Sequence, residues 1–248
     1  MTPPSEGEVG TASAHGQRCP PVAAPVSDDA FAESGDVLLF NYPAELHPPA
    51  RTALLGEQAF LGSAVRAERP DDEVAAWLAR TGPAVVYVSL GSFLSVRSDV
   101  LARVAEALRG LDVRVALASG STSRSALGPA PGSWLVRAEL PQVTLLGHAA
   151  LTVTHGGNNS VTEALAAGVP LLVLPMSTDQ FAGSAALEEA GLGEVLDPNA
   201  ATPEQIRAAT VRLLDLPSDA AGRLTRLAGE LTAEPGPGKA GTSLLADP

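Results

Sequence analysis

The sequence predicts an α/β fold, in which a Rossmann-like parallel sheet carries helices on both faces. From residue 84 onward, short apolar runs rich in β-branched residues alternate with segments whose apolar residues recur at helical spacing. The runs lack polar alternation, which is typical of parallel strands buried on both faces. A chain of 248 residues, 45% of them hydrophobic, is large enough to bury such a sheet in one core.

The N-terminal part differs from this pattern. Residues 1–34 are rich in Pro, Ala, Ser and Gly without a sustained period, which predicts a disordered tail. Within residues 35–70, the apolar run from Val37 to Phe40 predicts one isolated strand, and the Pro-containing stretch after it predicts an interdomain linker.

Residues 71–232 contain the regular elements of the predicted domain. A helix is expected within residues 71–80, and "AVVYVSL", "VRVALAS", "ALTVTH" and "PLLVLP" predict strands. Further helices are predicted over residues 98–111, 159–167 and 180–190, and after residue 202. Their ends are signalled by a candidate cap, by two C-terminal glycines and by a Thr-Pro pair, namely Ser98, Gly168, Gly191 and Thr202-Pro203. Residues 233–248 predict a C-terminal tail that begins as a loop and ends in a short helix.

Composition excludes several functions. The net charge is −12 and no Lys/Arg cluster is present, which argues against a nucleic-acid partner. The single lysine, Lys239, lies in a Gly/Pro-rich stretch, so Schiff-base chemistry and a Gly-Lys-Ser phosphate loop are not expected. One cysteine, Cys19, allows neither an intrachain disulfide nor a multi-cysteine metal site. Without an apolar run of about 18 residues or a signal peptide, we expect a cytoplasmic protein with no membrane span.

Three loops follow predicted strands at the edge of the sheet where ligands bind in this fold. They contain Gly91-Ser92, residues 155–160 and residues 176–180. The middle loop, His-Gly-Gly-Asn-Asn-Ser, combines glycines that let backbone N–H groups approach a ligand with the positive end of the following helix. It therefore predicts an anion site, in which His155 donates to phosphate and Glu163, further along the helix, accepts from sugar hydroxyls.

Each loop also has a structural interpretation. Gly-Gly equally suits a tight turn followed by a helix cap at Asn159 or Ser160. Asp179 is a good helix cap when taken alone, although beside an anion loop it and Gln180 suit the hydroxyls of a hexose. Gly91-Ser92 by itself is more typical of a structural turn.

The span from Leu140 to Gln180 resembles the donor-binding signature of nucleotide-sugar-dependent glycosyltransferases. The likeness is strongest to bacterial enzymes that glycosylate macrolides and other natural products, and it extends more loosely from Gly35 to the C-terminus. The resemblance implies a GT-B architecture, with two Rossmann-like domains facing a cleft. This chain then corresponds to the C-terminal, donor-binding domain.

The resemblance also implies roles for individual residues. Glu163 would bind the ribose, Gln142 would lie by the base, and Asp179 and Gln180 would hold the transferred sugar. The diphosphate would be held by Ser92, His155, Gly156, Gly157, Asn158, Asn159 and Ser160.

Two departures from the family pattern bear on function. Family members often place a base-stacking aromatic residue three positions before the glutamine, and this position holds Glu139, while Trp134 is out of register. The family's catalytic base is a histidine of the acceptor domain, for which this chain offers no match, His15 included.

The sequence therefore predicts the donor-binding domain of an inverting glycosyltransferase. Its donor would be a UDP- or dTDP-linked hexose or deoxyhexose, its acceptor a small-molecule hydroxyl, and neither a metal nor another cofactor is implied. We expect little transfer by this chain without an acceptor domain, which a complementing N-terminal subunit would supply. The alternative is a non-catalytic nucleotide-sugar-binding module or auxiliary subunit, which donor binding without turnover would distinguish.

Overall fold

The computed structural model describes residues 37–62, 64–91 and 97–245. The predicted N-terminal tail, with His15 and Cys19, lies outside these residues. The strands are β1 (Leu38–Phe40), β2 (Gln58–Phe60), β3 (Val85–Ser89), β4 (Arg114–Ala118), β5 (Leu135–Arg137), β6 (Leu151–Thr154), β7 (Leu171–Val173) and β8 (Gly193–Val195). The α-helices are α1 (Pro49–Thr52), α2 (Asp72–Leu78), α3 (Ser98–Arg109), α4 (Gln142–Leu146), α5 (Asn158–Ala166), α6 (Thr178–Glu189), α7 (Pro203–Leu214), α8 (Ser218–Ala233) and α9 (Gly236–Leu245), and 3₁₀ turns occupy Ala44–Leu46 and Arg124–Leu127.

Six strands form one parallel sheet in the order β5-β4-β3-β6-β7-β8. Residues of β3 alternate between two apolar clusters: Val86 and Val88 pack with α3 and α7 on one face, and Val85 and Tyr87 pack with α4, α5 and α8 on the other. Both faces of the sheet are therefore covered by helices. This arrangement confirms the predicted fold class and explains why the strand sequences are continuously apolar.

The chain leaves the centre of the sheet in two directions. Strands β3, β4 and β5 run outward to one edge, and the chain then returns to place β6 beside β3 before β7 and β8 extend to the other edge. The loops after β3 and β6 consequently diverge at the middle of the sheet. Such a switch point opens a crevice at the carboxyl ends of the strands, where α/β proteins bind ligands.

Several predicted helix ends are confirmed. Gly168 and Gly191 have positive φ and follow the last residues of α5 and α6. The Thr202 hydroxyl accepts the N–H of Gln205, and Pro203 opens α7. At α3 the prediction was one residue off, because Ser98 is the first helical residue and Arg97 precedes it without a side-chain cap.

Two terminal segments are more ordered than the sequence predicted. The strand predicted to be isolated, β1, pairs in parallel with β2, where Phe40 lies opposite Phe60. The C-terminal residues form α9, a ten-residue helix that lies against β2. Contact with β2 outweighs the poor helix propensity of the glycines in α9, and its proline lies in the first turn, where proline is tolerated.

No helix among the described residues is long and apolar enough to cross a membrane.

Candidate functional site

A cavity of about 990 Å³ lies at the carboxyl ends of the central strands. The loops after β3, β4, β6 and β7 contribute Gly91, Gly120, His155 and Ser177 to its lining. The switch point of the sheet places these loops side by side although they are far apart in sequence. The segment before the sheet, which consists of the described residues between β1 and α2, contributes Asn41, Arg66 and Glu68. The loop after β5 contributes Glu139 and Leu140.

His155 is enclosed by two glycines. A Cβ atom on Gly91, whose φ is +76°, would lie 2.7 Å from His155 Cε1, and one on Gly157 would lie 2.6 Å from Nε2. Any side chain at either position would displace the imidazole, so the glycines leave the space that this ring occupies. Burial lowers the pKa of His155 from its ordinary value near 6.5, and the charge of Asp179 opposes this shift. The imidazole is therefore predominantly neutral at pH 7.

Gly156 fixes the turn between β6 and α5. Its φ is +84°, and a Cβ atom there would lie 2.8 Å from Val173 Cγ1 and 2.9 Å from Ser184 Oγ. The Gly156 N–H donates to Thr154 Oγ1 at 3.3 Å. Glycine is required here both by the left-handed backbone and by the close approach of β7 and α6.

Helix α5 begins beside His155 without a side-chain cap. Gly157 is its N-cap residue, so the alternative prediction of a cap at Asn159 or Ser160 was wrong. Instead of capping the helix, the Asn158 side chain donates to the Asn41 carbonyl at 3.1 Å, and the Ser160 hydroxyl lies 3.5 Å from Gln142 Oε1. The first backbone N–H groups of α5 and the positive end of its dipole thus face the cavity, an arrangement suited to an anion.

A buried polar chain forms one end of the site. Gln142 Nε2 donates to Glu163 Oε2 at 2.5 Å, and the Tyr87 hydroxyl donates to Gln142 Oε1 at 3.4 Å. Gln142 is 7% exposed and Glu163 is 5% exposed. Burial raises the pKa of Tyr87 to about 12, which keeps its hydroxyl protonated. The structure therefore brings together the two residues that the sequence predicted for base and ribose.

The residues predicted for the transferred sugar lie at the start of α6. The N-cap is Ser177, so the alternative prediction of Asp179 as the cap was wrong. Gln180 Oε1 accepts the N–H groups of Met176 and Ser177, at 2.8 and 3.2 Å. The Ser177 hydroxyl donates to Asp179 Oδ1 at 2.7 Å, and this hydrogen bond lowers the pKa of the Asp179 carboxyl. Gln180 therefore has a structural role in this helix end while it lines the cavity.

Three further positions from the sequence analysis remain: one predicted to bind the diphosphate and two considered in relation to base stacking. Ser92 lies outside the described residues. Glu139, at the position where the family pattern has an aromatic ring, lines the cavity. Trp134 is 8% exposed and packs in the apolar cluster that contains α3, so it does not take the place of that ring.

Residues of the segment before the sheet were not predicted to belong to the site. Arg66 and Glu68 line the cavity, and Glu68 accepts the N–H groups of Val143 and Thr144 at the start of α4. No local motif links these two residues to the three loops. They reach the cavity only because the tertiary fold brings this segment to the sheet. Among the described residues, no group of three or more His, Cys, Asp or Glu side chains is placed to hold a metal ion.

Comparison with known proteins gives one family match and several relatives. Residues 102–246 match the model of the family described as erythromycin biosynthesis protein CIII-like, C-terminal domain. The chain is 32% identical over 171 residues to demethyllactenocin mycarosyltransferase of Streptomyces fradiae, covering 68% of this chain and 35% of that enzyme. It is 29% identical over 222 residues to oleandomycin glycosyltransferase of Streptomyces antibioticus, covering 88% of this chain and 51% of that enzyme.

Solved structures of glycosyltransferases also resemble this chain. The calicheamicin glycosyltransferase CalG4 superposes with a TM-score of 0.71 at 29% identity, over 86% of this chain and 52% of that protein. The glycotransferase of kitacinnamycin superposes with a TM-score of 0.72 at 30% identity, over 84% of this chain and 54% of that protein. The chain spans about half the length of these proteins.

Proposed function

Because this chain belongs to the family of erythromycin biosynthesis protein CIII-like C-terminal domains, we propose that its cavity binds a nucleoside diphosphate sugar for transfer to an acceptor hydroxyl. The fold is that of the C-terminal half of a GT-B glycosyltransferase. The proposal concerns the ligand, its orientation and the reaction.

One observation carries the proposal: the uncapped start of α5 and the glycine-enclosed His155 face the same cavity. The backbone N–H groups and the imidazole N–H donate hydrogen bonds, and the helix dipole adds a partial positive charge. Together these groups suit a diphosphate. We therefore place the diphosphate at residues 155–160.

The orientation of the donor follows from the two ends of the site. Glu163 and Gln142 supply a carboxylate and an amide for the ribose and the base, on the side of α4. Asp179 and Gln180, at the start of α6, supply an acceptor and an amide for the hydroxyls of the sugar. The nucleoside and the sugar then lie on opposite sides of the diphosphate.

In the proposed reaction, the acceptor hydroxyl attacks the anomeric carbon while a base removes its proton. A bond forms between the anomeric carbon and the acceptor oxygen while the bond between that carbon and the diphosphate oxygen breaks. The configuration at the anomeric carbon inverts. Negative charge moves onto the departing diphosphate, where His155 and the α5 N–H groups stabilise it. We assign the base to an acceptor half, supplied by a complementing N-terminal subunit or segment.

The proposed donors are UDP- or dTDP-linked hexoses and deoxyhexoses, and the proposed acceptors are small molecules. A cytoplasmic location stays a prediction from the sequence. The names of the relatives describe the sugars and antibiotics that those enzymes handle, and they motivate a donor panel that includes deoxyhexose conjugates.

A thermal-shift and calorimetry panel tests the proposal. The purified chain is titrated with UDP, dTDP, their sugar conjugates, inorganic pyrophosphate and, as a control, NAD. A ligand at 100 times its Kd stabilises the folded state by about 2.7 kcal/mol, which corresponds to a shift in Tm of roughly 5–10 °C for a domain of this size. Absence of binding by every nucleoside diphosphate and conjugate at millimolar concentration would contradict the assignment.

A further inference from the structure

The segment before the sheet, of which the structure describes residues 61–62 and 64–70, meets other elements at two points. At one point, a side chain on Gly62, whose φ is +74°, would collide with Leu231 of α8. At the other, the Glu68 carboxylate accepts the N–H groups of Val143 and Thr144, at 3.0 and 2.8 Å, and the Thr144 hydroxyl at 3.0 Å. The described stretch from residue 64 to Glu68 is therefore anchored to the start of α4 by the Glu68 carboxylate.

Arg66 lies in this stretch and contacts two carboxylates. Its Nε atom is 3.6 Å from Glu68 Oε1 and 3.6 Å from Glu163 Oε1. The Glu163 side chain is 4% exposed, whereas the Arg66 side chain is 55% exposed and lines the cavity. One edge of the guanidinium is thus turned to a buried carboxylate, and the rest of the group is open to a ligand.

The charge of Arg66 matters for Glu163. A buried carboxylate is stable only when it is paired and hydrogen-bonded. Glu163 has the Gln142 amide on Oε2 and the Arg66 guanidinium beside Oε1. Arg66 therefore helps to orient Glu163 at the place proposed for the ribose.

The same end of the cavity lacks the usual aromatic surface for a base. Glu139 stands where the family pattern has the ring, and a carboxylate has no aromatic face on which a base could stack. Among the lining residues that the structure describes, Tyr87 is the one Phe, Tyr or Trp, and it is 2% exposed with its hydroxyl turned to Gln142. Of those same residues, Arg66 is the one Lys or Arg, and a guanidinium is planar and stacks on aromatic rings.

We propose that Arg66 determines nucleoside recognition in this cavity: its edge positions Glu163 for the ribose, and its flat face stacks on the base in place of the missing aromatic ring. The inference rests on the proposed donor binding and extends it to a residue outside the donor signature. It also makes the segment before the sheet a functional part of the donor site.

Calorimetry on the full chain tests this role with UDP, dTDP and inorganic pyrophosphate as ligands. The variants are R66A and R66K, and the matched control is R69A, which removes an exposed arginine three residues along the same segment. We expect R66A to weaken UDP and dTDP binding about tenfold while pyrophosphate binding is unchanged, and R69A to match the wild type. R66K keeps the charge and loses the planar group, so we expect an intermediate loss.

Three outcomes would overturn the inference: unchanged UDP affinity in R66A, an equal loss for pyrophosphate, or full recovery of affinity in R66K. The melting temperature of each variant verifies that it is folded, and R66K provides the comparison if R66A is unstable. A wild-type chain that binds no nucleoside diphosphate contradicts the proposed function itself, before any variant is compared.

Discussion

At position 155, the imidazole ring fits between Gly91 and Gly157 because neither has a side chain. Burial favours its neutral form, and a neutral imidazole retains one N–H that can donate to a phosphate oxygen. The function proposed for this residue therefore depends on two glycines from different loops, one after β3 and one after β6.

Replacing His155 with alanine tests its role at the diphosphate. We expect H155A to weaken binding of nucleoside diphosphates by roughly 1–3 kcal/mol, the scale of a lost charge-assisted contact. The matched control is H148A, which removes an exposed histidine shortly before β6. Calorimetry measures both affinities, and equal affinity of H155A and wild type would count against the assignment.

The pH dependence of donor binding provides a second test of His155. A bound diphosphate favours the imidazolium, so the pKa of His155 is higher in the complex than in the free chain, where burial holds it below its ordinary value. Affinity should therefore rise as the pH falls between these two pKa values and level off below the free-chain pKa, which lies under about 6.5.

A sugar conjugate is the appropriate ligand for this titration, because its diphosphate lacks the terminal phosphate group that itself titrates near pH 6. Asp179, whose charge interacts with His155, stays ionised across this range because its own pKa is lowered. The H155A variant should lose the rise in affinity. A wild-type profile that is flat from pH 5 to 8 would show that His155 does not contact the anion.

At the scale of elements, the turn from β6 into α5 connects the sheet to the anion site. Gly156 adopts a φ of +84° and packs against Val173 of β7 and Ser184 of α6. The turn therefore fixes the start of α5 relative to α6. In this way the two helices proposed to bind diphosphate and sugar keep a constant spacing.

A pair of glycine substitutions tests this turn. We expect G156A to destabilise the protein by about 1–3 kcal/mol, because alanine disfavours a positive φ and its Cβ would collide with two side chains. The control G183A lies within α6, where a Cβ meets nothing within 4 Å, and should stabilise by about 0.5–1 kcal/mol. Urea unfolding measures both changes, and a G156A variant as stable as wild type would refute the packing argument.

At the scale of the whole molecule, the donor cavity and the segment before the sheet form one unit. Asn41 after β1 bonds Asn158 of α5, and Glu68 bonds the start of α4. The chain covers between 35% and 54% of the relatives described above, and the proposed reaction needs an acceptor and a base besides the donor site.

Mixing experiments test the proposed division of labour. We expect this chain alone to bind donors with little transfer, and a separately expressed N-terminal half of a relative to raise transfer by about 10²-fold or more, the scale of general-base catalysis. The control pairs the same half with the H155A chain. Product formation by mass spectrometry measures transfer, and donor binding without turnover in every mixture would favour a binding module.

Local patterns in the sequence were sufficient to predict much of this fold. Signals that act over a few residues can be recognised without a structure. They include the apolar runs of β3, β4, β6 and β7, the C-terminal glycines of α5 and α6, and the Thr-Pro start of α7. The same holds for the glycine loop at residues 155–157, whose chemistry follows from its place after a strand.

What could not be read from the chain depends on contacts between distant segments. Strand β2 and helix α9 have weak local signals, and they form because β2 pairs with β1 and α9 packs on β2. The observed N-caps of three helices lie one to three residues before the predicted ones, because the position of a cap depends on where the preceding segment ends. Glu68 and Val143 are 75 residues apart, and Arg66 meets Glu163 from another element altogether. Periodicity and turn chemistry are short-range properties, whereas the pairing of Arg66 with Glu163 exists only after the sheet has brought the two together.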